Sequence, residues 1–428
     1  MNKHFVLNSK VRIASQTNGK HHFFGYYGTC PWNKNETKLL VLETDIIDRL
    51  PQKNDTARVC VINQETEQEE VIGETKSWNW QQGCMLQWLP PYDEQVVWNA
   101  REGEKQGAVM FNVRTKETKK ISCSIYSVHP NGIEALSLDF AYLNKVREGY
   151  GYAGVAEEDE KEKGIYRINI ETGERRLIIS LESLKAYKTN SQMNGEVHWV
   201  DHLEYNQSGK RFCFFHRCKT KDGRFYERLY SASSDGSELR LLLDTGMVTH
   251  VAWKGDNDIL TWGREESALV RISAKGGWLK YVLPIYHKLG ISKFSKGILR
   301  NRIIGDKFLL IDEMSGKWEK IGEGILENGH PSFSPDKKWI ITDTYPKKHW
   351  RKLILFNPNS RKNIEVGKFY ALPKKGDNIS GSWDLSGMRC DLHPRWNRSG
   401  TAICIDSVHE GARQVYVLDI ENIIKNNG

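Results

Sequence analysis

The stretch "RCDLHPRWNRSGTAICIDS", residues 389–407, sets a histidine before a proline, an aromatic three residues on, a polar turn and a short apolar strand. The same frame returns in "DHLEYNQSGKRFCFFHR" from Asp201, "THVAWKGDNDILTWGR" from Thr249 and "GHPSFSPDKKWIITDTY" from Gly329. Several copies of one frame in a single chain point to an internal repeat, and a repeat decides the architecture before any single element does.

Working outward from these copies gives a repeat of about sixty residues. "YYGTCPWNKNETKLLVLETD", "GCMLQWLPPYDEQVVWNAR" and "YSVHPNGIEALSLDF" open three earlier units without the histidine. Each opening is followed by a second strand pair, as in "GIYRINIETGERRLII" and "KFLLIDEMSGKWEKIG", whose E-T-G-E and M-S-G-K centres are hairpin signals. Four strands per unit, seven times over, predict an all-β chain: a seven-bladed β-propeller in one domain, residues 1–428. The last unit lacks a strand, since only "ENIIKNNG" follows "QVYVLDI". The apolar "FVLNSKVRIAS" near the N-terminus is expected to supply it. Residues 4 to 14 would then pair with the strand around Gln414 to Ile420, closing the ring and protecting a sheet edge. Two connections are long, one of about forty residues before "KFLLIDE" and one from "DFAYLNKVREGYGYAG" into the acidic "VAEEDEKEKG", read as a solvated loop.

Composition narrows the function classes. Formal net charge is +8, but Lys and Arg are scattered among 54 acids, which suits an anionic substrate or ordinary solubilising charge. The aromatics are not interleaved with a basic stripe, so nucleic acid is not the expected partner. No run of about 18 apolar residues exists, so no membrane insertion is expected. The N-terminus shows no secretory pattern, and the eight cysteines have no paired spacing. Buried free thiols in a cytoplasmic setting are the expectation. No G-x-S-x-G elbow, Gly-rich phosphate loop or H-E-x-x-H is present.

The repeat also says where the polar residues gather. His202, His250, His330 and His393 stand at the entrance to innermost strands, and equivalent positions in a propeller face one axis. They are the candidate metal ligands, for a divalent transition metal such as Mn or Zn. Hydrogen-bonded or surface histidines are the plainer alternative. Second strands end at His216 and Arg217, Asn99 and Arg101, Asp343 and Tyr345, and Asp406 and His409. Arg147, Tyr150 and Tyr152 occupy the same connection in the third unit. All are expected on one rim. Gln81 and Gln82 are candidates for sugar hydroxyls, beside Trp78, Trp80 and Trp88, which also read as core. His216 near Cys218 is an alternative, structural zinc site.

The segments "HHFFGYYGTCPW", "WNWQQGCMLQW", "SLDFAYLNKVREGYGYAG", "HWVDHLEYNQSGKRFCFFHR" and the two later His-bearing units resemble a bacterial propeller family of polysaccharide gene clusters. That family is similar to the oligogalacturonate lyases and ulvan lyases, seven-bladed enzymes. The resemblance implies β-elimination on a uronic-acid glycan. It places His216 of "FFHR" at a catalytic histidine, His250 of "THVAW" and His330 of "GHPSFSPD" at metal ligands, and Ile325 and Asn328 roughly where a further Gln and His would stand. The ulvan lyases imply a Tyr and an Arg near the substrate carboxylate, for which Tyr150, Tyr152 and Arg147 are the local candidates. Gly28 stands where the polysaccharide-cluster family has Asp, and Cys218 where it has an aromatic.

Elimination needs a base at C5, a proton for the leaving oxygen and a cation on the carboxylate. His216 or Tyr150 is the expected base, with Arg217 and Arg147 as carboxylate clamps. His22, Tyr26, Arg389 and Arg395 complete the expected substrate contacts, with an acidic oligosaccharide or polysaccharide as partner. The alternative reading is a glycan-binding propeller without catalysis, or one associated with polysaccharide synthesis.

Overall fold

A computed structural model describes residues 5–7, 10–15, 18–91, 94–157, 163–265, 306–325, 327–371 and 386–427. Most of the long connection before "KFLLIDE" and part of the acidic "EEDEKEKG" stretch lie outside the described residues. Seven antiparallel sheets follow one another along the chain, each ordered by simple hairpins, and together they form the seven-bladed propeller the repeat predicts. In blade four, Val197–Tyr205, Arg211–Lys219, Phe225–Ser233 and Arg240–Leu243 run from the channel outward.

The repeated frame has a packing reason. The indole of Trp253 donates to the Glu204 carbonyl (3.0 Å), that of Trp396 to Ser332 (3.1 Å) and that of Trp88 to Pro31 (2.9 Å). These three indoles thus tie their blades to the blade before. A buried N–H needs such a partner, and each bond adds on the order of 1 kcal/mol. Trp78 and Trp80 are core, packed with Phe23 between blades one and two.

Closure is only partly as expected. Lys10–Ile13 is the outer strand of blade seven, with Lys10 opposite Asp419 and Ile13 opposite Tyr416. Phe5–Leu7, however, does not join that strand. It pairs with Lys362–Tyr370 as a fifth strand of blade six, Phe5 opposite Phe369. The outer strand of blade six is nine residues long, and an uncovered ladder of that length is a template for stray pairing. The N-terminal segment covers both edges in turn.

The connection from blade three is more ordered than a loop. Asp139 caps a helix, Phe140–Val146, by accepting from the N–H groups of Ala141 and Tyr142. Phe140, Ala141 and Leu143 bury one face, and the helix ends at Arg147.

Candidate active site

The innermost strands do not run straight past the channel. Register breaks lie between Asp201 and Glu204 and between Thr249 and Val251. At these breaks His202 and His250 both have φ 55°, and His393 has φ 45°. A left-handed backbone is uncommon outside glycine, and a bulge re-aims one side chain. Met85, three residues before Trp88, has φ 53° at the corresponding place in blade two. The repeat therefore keeps a left-handed residue at this place in four blades, and in three of them it is a histidine.

The channel is blocked part-way. In blade one the innermost strand His21–Phe23 is interrupted, and the chain loops inward through Tyr26 and Tyr27, both buried. Asp406 accepts from the N–H groups of Phe24 (3.2 Å) and Gly25 (3.1 Å). Arg395 donates to the carbonyls of Tyr26 (3.0 Å) and Gly25 (2.9 Å), fixing the plug. Above it lies a cavity of about 430 Å³, walled by residues of several blades.

One wall is built on Asp201, a residue the sequence reading did not single out. Its carboxylate accepts from Arg217 Nε (3.0 Å), Trp199 Nε1 (3.0 Å) and His202 Nδ1 (2.8 Å), and pairs with Arg147. Burial alone would raise its pKa, but Arg217, Arg147 and His202 outweigh that and hold it well below the usual range. Because Nδ1 of His202 donates to Asp201, its Nε2 keeps a lone pair. Burial, helped by the two guanidinium groups, lowers His202 to about 4, so the ring is a neutral base near pH 7. The Arg147 guanidinium lies 3.6 Å over the Tyr150 ring. Arg217 also pairs with Glu227 and retains a buried Nη2 with no hydrogen bond.

The opposite wall holds three histidines around Tyr27. Ring centroids are 4.1 Å apart for His250 and His330 and 4.2 Å for His330 and His393. Each has its Nδ1 anchored: His250 on Asn328 Oδ1 (3.0 Å), His330 on Asp343 (2.9 Å) and His393 on the Gly25 carbonyl. Each therefore presents Nε2 as an acceptor, the arrangement that orients metal-binding imidazoles. Burial and then neighbouring His330 push His393 to about 3 and His250 well below its usual value. Potential ligand atoms of His330, His393 and Asp391 lie within 4.8 Å of one another. Asp391 pairs with Arg351 (2.7 Å), while its Oδ2 is buried without a hydrogen bond. Imidazoles that present Nε2 lone pairs and a carboxylate oxygen without a hydrogen bond fit a divalent transition ion. The four histidines expected as one metal set are thus divided, with His202 facing Tyr26 and Tyr150 instead.

Tyr26, Gln81, Gln82, Arg147, Tyr150 and Arg217 all line this cavity. Other expected site residues do not. His216 follows Phe215 on a strand whose neighbours alternate faces, and it points away from Arg217 into the blade. His198 donates from Nε2 to Gly195 (3.0 Å) and accepts at Nδ1 from His216 (2.9 Å). Burial, then His198, lower His216 to about 3. Among the described residues, Cys218 joins no cluster of metal-ligating groups. His22 is buried in blade one, 3.3 Å from both Glu43 and Glu69. Asn99 binds Tyr152 Oη (2.9 Å) and Ile125, so both residues lock blades together. Arg395 holds the plug, and Arg389 stands behind the wall, 3.7 Å from Asp391. Asp201 and Tyr27 were missed, although an Asp directly before the repeated His was visible in "VDHLEY".

No protein-family model matches the chain, and no curated protein sequence does so at a significant level. Solved structures do. An oligogalacturonate lyase in complex with manganese superposes with a TM-score of 0.61 at 12% identity, covering 96% of this chain and 93% of that one. The oligogalacturonate lyase of Vibrio parahaemolyticus gives a TM-score of 0.58 at 12% identity, with 97% and 96% covered. At that identity the likeness is one of fold.

Proposed function

We propose that the chain is a lyase that cleaves an acidic, uronic-acid-containing oligosaccharide by β-elimination in the cavity above the Tyr26–Tyr27 plug. The observation that carries this reading is the Asp201 cluster. It sets a neutral His202 Nε2, the Arg147–Tyr150 pair and an unsatisfied Arg217 Nη2 on one wall, facing the three-histidine cluster. The same fold in two oligogalacturonate lyases supports it.

In this reading the substrate carboxylate pairs with Arg217 Nη2 and lies near the charge of Arg147. His202 Nε2 takes the C5 proton, and Asp201 stabilises the imidazolium that results. The C–H electrons form the C4–C5 double bond as the C4–O bond breaks. Tyr150 Oη gives its proton to the leaving oxygen, and the His202 imidazolium then releases the C5 proton through solvent to restore the tyrosine and the neutral imidazole. His250, His330, His393 and Asp391 would hold a divalent ion, which supplies further neutralisation of the carboxylate as the enolate-like charge develops. His202 replaces His216 as the base because only His202 borders the cavity.

The test is incubation of the purified chain with oligosaccharides of several uronic acids, following ultraviolet absorbance of the unsaturated product. Growth of that band, lost in Arg217→Ala, is expected. Binding of the same oligosaccharides with no unsaturated product would favour the glycan-binding alternative.

A further inference from the structure

The repeated frame has two halves, and the reaction uses only the histidines. Three residues on, about 10 Å further along an extended strand, stand Tyr205, Trp253, Phe333 and Trp396. These four border a second cavity of about 440 Å³ on the far side of the plug, with Tyr27 shared between the two chambers. The indole bonds of Trp253 and Trp396 to neighbouring blades account for the packing of those two rings but not for the space the four enclose.

Glu204 belongs to that space. The residue is 9% exposed, and its Oε2 is buried with no hydrogen bond. It makes no ion pair among the described residues. Burial pushes its carboxyl up to about 8, so near neutral pH it is an uncharged O–H donor with an acceptor oxygen beside it. Gly28 leaves room for it, since a Cβ there would lie 1.9 Å from Glu204 Oε1. Lys337, on a turn, lines the same cavity without an ion-pair partner among the described residues, as does Arg398, which donates to the carbonyls of Asn33 and Trp32.

We propose that this opposite mouth is a second ligand site, taking a small anionic, hydroxyl-bearing molecule of the sugar-acid or sugar-phosphate class. The neutral Glu204 acid donates to a ligand oxygen, the aromatic edges contact the C–H faces of a ring, and Lys337 pairs with the anionic group. The inference does not depend on the lyase reading, because it uses a different chamber and different residues.

Calorimetric titration of the full chain with sodium galacturonate, galactose 1-phosphate and methyl galactoside tests it, the first two separating carboxylate from phosphate. At least one anion is expected to bind at a site that survives Arg147→Ala. Lys337→Glu should weaken that site by roughly tenfold or more, the scale of a lost charge-assisted hydrogen bond. Glu204→Leu should weaken it similarly, and Lys337→Glu, on a half-buried turn, keeps the test valid if Glu204→Leu does not fold. Binding that vanishes with Arg147→Ala, or is unchanged in Lys337→Glu, would overturn the proposal. Equal affinity for methyl galactoside would overturn the anionic assignment.

Discussion

The two walls of the upper cavity use the same residue in opposite electrostatic settings. On both, a buried histidine has its Nδ1 anchored to an oxygen and its Nε2 left as an acceptor. Around His202 the neighbours are guanidinium groups, Arg147 and Arg217, gathered on Asp201. Around His330 and His393 they are further imidazoles and the carboxylates of Asp343 and Asp391. A lone imidazole beside cations suits proton transfer and anion binding, whereas clustered imidazoles beside a carboxylate suit a cation. Residue type alone does not assign a role; the charge of its surroundings does.

That contrast is sharpest in metal content. His330→Ala or His393→Ala should strip the purified protein of bound transition metal almost completely, while His202→Ala leaves it at the wild-type level. Elemental analysis of the three variants decides this. Equal loss in His202→Ala would merge the walls into one metal site, and a wild-type protein without transition metal would leave the three-histidine wall with substrate hydrogen bonding alone.

Much of this division could not be seen in the sequence. The frame of histidine, aromatic, turn and strand was enough for seven blades, because hairpin turns and alternating strands are local signals. It also placed Arg147, Tyr150 and Arg217 on one rim correctly. It could not tell which of His216 and Arg217 faces the cavity without fixing the phase of their strand, and the bulge at His202 shifts the register between that strand and the innermost one. The plug at Tyr26 and Tyr27 arises where an innermost strand breaks off, which "HHFFGYYGTCPW" does not announce. The helix at Phe140–Val146 was hidden because only about two turns separate its Asp139 cap from Arg147.

A smaller effect links the buried histidines to stability. His202, His393 and His216 have pKa values lowered to about 4, 3 and 3, against about 6.5 in an unfolded chain. A depressed folded value means the unfolded chain takes up protons first as pH falls. The stability these groups contribute is therefore complete above about pH 6.5 and is lost progressively toward pH 3 to 4. Between pH 7.5 and 5.5 the loss should be about 1.4 kcal/mol per histidine. Urea unfolding at the two pH values measures it. Replacing His216 by Phe should reduce the difference, and identical midpoints at both values would show that these rings are not held neutral.

In the proposed elimination, proton transfer belongs to the His202 wall and not to the strand-buried His216. The direct measurement is turnover of a uronic-acid oligosaccharide to its unsaturated product by His202→Ala and His216→Ala, each checked for wild-type metal content and cooperative unfolding. With the base on His202, His202→Ala should lose about a hundredfold or more, the usual scale for a general base, while His216→Ala stays within a few-fold of wild type. A folded, metal-replete His202→Ala that turns over normally, with His216→Ala inactive, would contradict it.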